Sequence, residues 1–221
     1  MRIAVILLLF AAKPALAQPF TFGVKGGIRT DGVFSGDLTD ESKRYTVGFS
    51  IDCRLPFHFS LEADALYQHS GFSATYNTPL EVSQTRERDN IWMFPVLAKY
   101  HLPGSRQVHP FAGIGVAPRI VTARRTQSGY SIDPFTLADT NPYSQTSSSR
   151  YDPTVGLVIA AGVEIGRSRL RFTPEVRYTR WNDRFLNAAI RNVGFLGLRS
   201  YIASDSELDV MLGIAWRAGR R

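Results

Sequence analysis

The sequence predicts an all-β fold, an eight-stranded antiparallel up-and-down transmembrane β-barrel. Three observations carry that prediction. Eight segments alternate apolar and polar residues with a period of two, which is how a strand with one apolar face reads. The connections alternate between short turns and long polar segments along the whole chain, as they do when all tight turns lie at one end of a barrel. Aromatic residues collect at both ends of the apolar faces, and each segment is about ten residues long, the length a tilted strand needs to cross a bilayer.

Ahead of the first segment, Arg2 precedes the apolar run IAVILLLFAA, and Lys13-Pro14 and Ala15-Leu16-Ala17 follow it. A charged start, a short apolar stretch and an Ala-x-Ala site predict a secretory signal peptide over 1–17, with the barrel domain over 18–221. The run falls well short of the roughly 20 residues of a spanning helix. No cysteine follows it closely to carry a lipid anchor. Of the 26 basic residues the signal takes Arg2 and Lys13, leaving 24 against 19 acidic ones. That modest excess is dispersed, which argues against nucleic-acid binding. Cys53 is the only cysteine, so this is no disulfide scaffold.

In the first segment Phe20, Phe22, Val24 and Ile28 oppose Lys25 and Arg29. The second sets Tyr45, Val47, Phe49, Ile51 and Cys53 against Thr46, Gly48, Ser50, Asp52 and Arg54. The third sets Phe57, Phe59, Leu61, Ala63, Ala65 and Tyr67 against Ser60, Glu62, Asp64 and Gln68. In the fourth, Trp92, Phe94, Val96, Ala98 and Tyr100 oppose Met93, Pro95, Leu97, Lys99 and His101. The fifth places Ile114, Val116 and Ile120 against Gly113, Gly115 and Arg119, and its prolines blur its ends. A Gly-Arg-Ser-Arg turn at 166–169 joins the sixth and seventh. Leu157, Ile159, Ala161, Val163 and Ile165, then Leu170, Phe172, Pro174, Val176 and Tyr178, form their apolar face, with Glu164, Arg171, Glu175 and Arg177 between. The eighth opposes Leu208, Val210, Leu212, Ile214 and Trp216 to Glu207, Asp209, Met211, Gly213 and Ala215.

Short turns fall near Pro56, near Pro103-Gly104 and at 166–169; long polar segments fall at about 32–43, 70–89, 123–151 and 182–205. Phe20, Phe57, Phe59, Tyr100 and Trp216 lie toward the short-turn end. Tyr45, Tyr67, Trp92 and Tyr178, with Trp181 beside them, lie toward the long-loop end. Two such belts mark where lipid meets water. The apolar faces are therefore expected to meet lipid and the charged faces to line the inside. An even strand number puts both termini at the short-turn end.

The inward residues supply the acids Asp52, Glu62, Asp64, Glu164, Glu175 and Asp209 and the bases Lys25, Arg29, Arg54, Lys99, Arg119, Arg171 and Arg177. Glu62 and Asp64 face Lys99 across the third and fourth strands. Buried charges are tolerable when paired, and an eight-stranded barrel is just wide enough for side chains to fill. A charge-paired plug is expected, with a narrow channel lined by charge rings as the other reading. His58, His69, His101 and His109 lack metal-ligand spacing, and no nucleophile elbow or zinc-protease motif occurs. No metal, cofactor or catalytic residue is expected; His69 beside Ser70 is the one hint of a hydrolase acting on outer-leaflet lipid. Arg124, Arg125, Arg150, Arg180 and Arg184 fall near the outer rim, either solvated or against lipopolysaccharide phosphates. The stretch FLNAAIRNVGFLGLRSYIA is too apolar for a solvated loop and reads as a cover over the mouth or a holder for a partner.

The runs IWMFPVLAKYHL, HPFAGIGVAPRIV, TVGLVIAAGVEIG and LRFTPEVRYTRW resemble the small outer-membrane β-barrel family, OmpA-like or OmpX-like. The match rests on a Pro-x-x-x-Lys-Tyr fourth strand (Pro95, Lys99, Tyr100), a Gly-rich fifth, a Gly-x-Gly-x-Glu type sixth and a Glu-x-Arg-Tyr seventh (Glu175, Arg177, Tyr178). It covers nearly all of the mature chain. The resemblance implies a Gram-negative outer membrane, periplasmic termini, insertion by the barrel-assembly machinery, and contact with outer-membrane lipids and lipopolysaccharide. Two departures stand out: RAGRR follows Trp216 where members end on the aromatic, and no peptidoglycan-binding domain follows, so a cell-wall tether is not implied. The expected role is that of a monomer with a structural or surface-interaction function, its long loops meeting an extracellular ligand, and not that of an enzyme. The alternatives are a barrel enzyme modifying lipopolysaccharide acyl chains and a narrow ion channel.

Overall fold

The computed structural model describes residues 20–30, 39–79, 81–105, 107–133, 135, 139–151, 153–166, 169–181 and 206–217. The expected signal peptide, most of the first long segment and all of 182–205 lie outside the described residues. The strands are β1 (Phe20–Arg29), β2 (Thr39–Asp40), β3 (Lys43–Arg54), β4 (Phe59–Asn77), β5 (Glu81–Met93), β6 (Val96–His101), β7 (Val108–Ile132), β8 (Asp139–Arg150), β9 (Thr154–Ile165), β10 (Leu170–Trp181) and β11 (Ser206–Arg217).

Every pairing is antiparallel, and the ladder closes on itself. β1 pairs with β3 and with β11. From β3 it passes to β4, from β4 to β5 and β6, and from both to β7. It then passes from β7 to β8 and β9, and through β10 back to β11. β5 and β6 are one stave broken at Phe94-Pro95, and β8 and β9, which end at Arg150 and begin at Thr154 and both pair with β7, are another, so the described strands make a ring of eight staves; β2 adds two residues against β4. Pro95 has no N–H to give. Its carbonyl still accepts the Asp64 N–H at 2.9 Å, and the Phe94 N–H reaches the Pro118 carbonyl at 2.8 Å, so the ladder survives the break. A closed ring leaves no strand edge to hydrocarbon. The fold is the predicted eight-stranded up-and-down barrel.

The alternation decides which face is inside. Lys25 is 4% exposed and Arg177 2%, whereas Phe49 is 69% exposed and Ile28 63%. A soluble barrel would show the reverse. The rings expected at the short-turn end lie on the outer surface: Phe57, Phe59, Tyr100 and Trp216 are exposed and Phe20 half-buried, with the Phe59 and Tyr100 rings 5.1 Å apart. At the other end Tyr45, Trp92 and Tyr178 are exposed, and half-buried Tyr67 packs on Trp92 at 5.3 Å. Trp181 departs from its expected place in that belt. It shares the parity of Arg177 and Thr179 and is buried inside. The turn after β3 is tight enough to hold Phe57 and His58 at φ of 60° and 68°, a left-handed pair of the kind a two-residue hairpin loop demands.

Two segments expected to be long loops, 70–89 and 123–151, are strand for most of their length. β4 runs ten residues past Tyr67, and β7 runs twelve past Ile120, the partner of Trp92. At about 3.3 Å per residue, β4, β5, β7 and β8 form a sheet that stands roughly 30–40 Å along the strands beyond the aromatic belt. The physical reason is a polar alternation: Ser83, Thr85, Glu87 and Asp89 turn inward and are buried, while Gln84, Arg86, Arg88 and Asn90 turn outward.

Candidate functional site

The lumen holds the largest concentration of buried charge. At its centre three cations meet three carboxylates. Lys25 Nζ donates to Glu62 Oε1 at 2.6 Å and to Glu175 Oε1 at 3.1 Å. Lys99 Nζ reaches across to Glu62 Oε2 at 2.6 Å and Glu175 Oε2 at 3.2 Å. Arg177 Nη2 donates to Glu175 Oε1 at 2.7 Å and Asp64 Oδ2 at 2.8 Å. Asp64 thus pairs with Arg177, and at 3.5 Å with Lys25, rather than with Lys99. Gly113 makes the crossing of Lys99 possible: a Cβ there would press on Lys99 Cγ at 3.1 Å. The ammonium also lies 4.3 Å from the Phe111 ring centroid.

Two smaller clusters flank this one. Toward the short turns Glu164 takes both Arg54 and Arg171, and Asp52 accepts the Ser60 hydroxyl at 2.8 Å with Arg54 at 3.8 Å. Ser60 also shares a 3.0 Å bond with His101 Nε2. The cavity left among these groups is about 30 Å³, room for a water or two. Toward the outer end Arg29 pairs with Glu207, which also accepts from Gln68 at 3.1 Å and from the Trp181 indole at 3.0 Å. Asp209 lies opposite Arg29 on one side and Arg177 on the other, without an ion pair to either among the described residues. Arg119 donates to Thr154 at 2.8 Å and lies over the Trp181 ring, 3.9 Å from its centroid. Leu66, Ile91, Met93, Leu97, Val121, Val158 and Met211 pack with Trp181 into an apolar layer in the same lumen.

Sequence reasoning missed the cluster beyond that layer. Glu87 accepts a bond from Arg125 Nε at 2.7 Å, with the Arg125 Nη2 in ion-pair contact at 2.6 Å, and accepts the Tyr151 hydroxyl at 3.1 Å, with buried Asp89 one inward step away. These groups lie past the aromatic belt. Burial, reinforced by the Glu87 charge, pushes the Asp89 carboxyl up to about 8 against the opposing pull of Arg125. Burial likewise raises the Tyr151 phenol, helped by Glu87. The signal was present in the period of two, but both faces of that stretch are polar.

His69 and Ser70 do not converge. His69 turns outward, its Nδ1 3.3 Å from the Asn90 side-chain oxygen, while Ser70 turns inward, is buried and bonds Ser42 at 3.0 Å. Neighbours on a strand face opposite ways, so this pair forms no catalytic dyad. Among the described residues no group of His, Cys, Asp and Glu could hold a metal ion.

The family described as outer membrane protein beta-barrel domain matches residues 16–180. The chain belongs to that family. It is a Gram-negative outer-membrane β-barrel protein. Similar solved structures include the N-terminal β-barrel domain of Pseudomonas aeruginosa OprF, 14% identical over 91% of this chain and 98% of that one, with a TM-score of 0.47. Neisserial surface protein A is 9% identical over 90% and 96%, with a TM-score of 0.46. Ail, the attachment invasion locus protein of Yersinia pestis, is 12% identical over 91% and 97%, with a TM-score of 0.38. Among curated proteins none matches the chain.

Proposed function

We propose that this outer-membrane barrel is a monomeric surface-interaction protein with a closed lumen. The barrel anchors the chain, the ion-paired plug keeps it shut, and the sheet of β4, β5, β7 and β8 meets the extracellular ligand. The observation that carries the reading is that sheet: ten to twelve residues of regular strand beyond the belt form a rigid, polar platform. Binding surfaces gain from such rigidity because less entropy is lost on contact. Both termini lie at the periplasmic end in this reading. The polar clusters act as structural fill, and neither catalysis nor a cofactor is assigned to them.

The test is topological. In a Cys53→Ser background, single cysteines at Gln84, Ser144 and Ser105 are labelled on intact cells with a membrane-impermeant maleimide. Labelling at 84 and 144 with none at 105 supports the reading. Labelling at 105 alone overturns it.

A further inference from the structure

On the outer wall the membrane-facing row and the rows just above it make one continuous surface. Leu212, Gly26, Val47, Tyr67 and Trp92 are successive cross-strand neighbours. Gly26 leaves a notch in that row: a Cβ built on it meets nothing within 4 Å. The notch lies in a shallow open depression of about 810 Å³ on the wall, lined by apolar side chains including Phe49 and Ile214. Four residue pairs further out on the same staves, Arg88 lies opposite Gly71 on one side and Arg124 on the other. Arg88 and Arg124 are exposed, face each other directly, and have no carboxylate within 4 Å among the described residues. Like charges placed so are destabilising unless an anion lies between them. Arg86 is held by Glu41 at 2.7 and 3.0 Å, and Lys43 lines a second, separate hollow with Arg86 and Arg88, so the patch keeps a net positive charge.

We propose that this surface binds one molecule of a phosphorylated glycolipid of the outer leaflet, with an acyl chain in the Gly26 notch and a sugar phosphate bridging Arg88 and Arg124. Guanidinium pairs suit phosphate oxygens, which accept two parallel N–H bonds. Height selects the class of lipid. Arg88 stands four residues beyond Trp92, roughly 13 Å along the strand and about 9 Å above the belt at a 45° tilt. A glycerophospholipid headgroup layer spans only about 5–7 Å, whereas a phosphorylated sugar head stands higher. The inference goes beyond the surface role above and does not depend on what the strand platform meets.

The protein, folded in neutral detergent micelles, is titrated with diphosphorylated lipid A, with phosphatidylglycerol and with inorganic phosphate, and adducts are read by native mass spectrometry. The expected result is a saturable one-to-one lipid A adduct, preferred over phosphatidylglycerol. Binding weakens about 30-fold in the R88A/R124A double variant and about tenfold in G26L. The R88K/R124K variant keeps most of the affinity, and an unchanged unboiled gel mobility shows each variant to be folded. Unaltered lipid A binding in R88A/R124A overturns the proposal. So does phosphatidylglycerol binding as tightly as lipid A, or inorganic phosphate displacing lipid A completely, since either removes the glycolipid from the site.

Discussion

Glu62 shares with Glu175 the three central cations, and Lys25 and Lys99 each hold one of the Glu62 oxygens at 2.6 Å. Replacing Glu62 by Gln leaves three buried cations against two acids. Removing one partner of a buried ion pair costs on the order of 3–5 kcal/mol. E62Q is therefore expected to lower the urea midpoint by that equivalent while the protein still folds; an unchanged midpoint would show that the cluster is not paired in solution. At the outer mouth Asp89 behaves oppositely to an ordinary carboxylate. Its folded-state value of about 8 lies above the unfolded value near 4, so the folded state binds the extra proton between those limits. Its stabilising contribution is complete below pH ~4 and is lost as pH rises through about 8. Thermal stability of the extension should fall across that window, and D89N should flatten the fall; an identical slope in D89N would assign it elsewhere.

At the scale of elements, the staves inside the membrane were legible because lipid and lumen impose opposite chemistry on alternate residues. Val24 beside Lys25, or Leu61 beside Glu62, leaves no doubt about the period. The extension was not legible, since both of its faces meet polar surroundings and Ser-Gln-Thr-Arg reads equally well as a loop. Trp181 was misplaced for a different reason: its residue type suggested the belt, whereas its parity with Arg177 sets it inside beside Arg119. Of the lumen network, the central cluster could be read from inward parity, but Glu87 and Asp89 could not, because they sit on the unread strands. An element-level prediction follows from the ladder. Replacing 73–86 and 126–146 by two-residue Gly-containing turns should leave a folded barrel, because the ring of staves below Phe72 and Arg125 is complete without them. Heat-modifiable gel mobility retained by the trimmed chain is the expected outcome; its loss would make the extension part of the folding core.

For the whole molecule, ring closure and lumen filling act together. The outer wall is apolar because the membrane is its solvent, and the interior must then hold the polar residues that alternate with it. Three stacked ionic clusters and an apolar layer occupy that interior, and ion pairing offsets much of the cost of burying the charges. In the function proposed here, a barrel filled in this way offers ions no continuous path, and the function lies on the outside surface. The direct test is single-channel recording of the folded protein in a planar bilayer at symmetric 1 M KCl. Insertion without discrete conductance steps is the predicted result. Reproducible steps in the intact protein, abolished when Glu62 and Glu175 are replaced by leucine, would contradict the plug and make the lumen a pore.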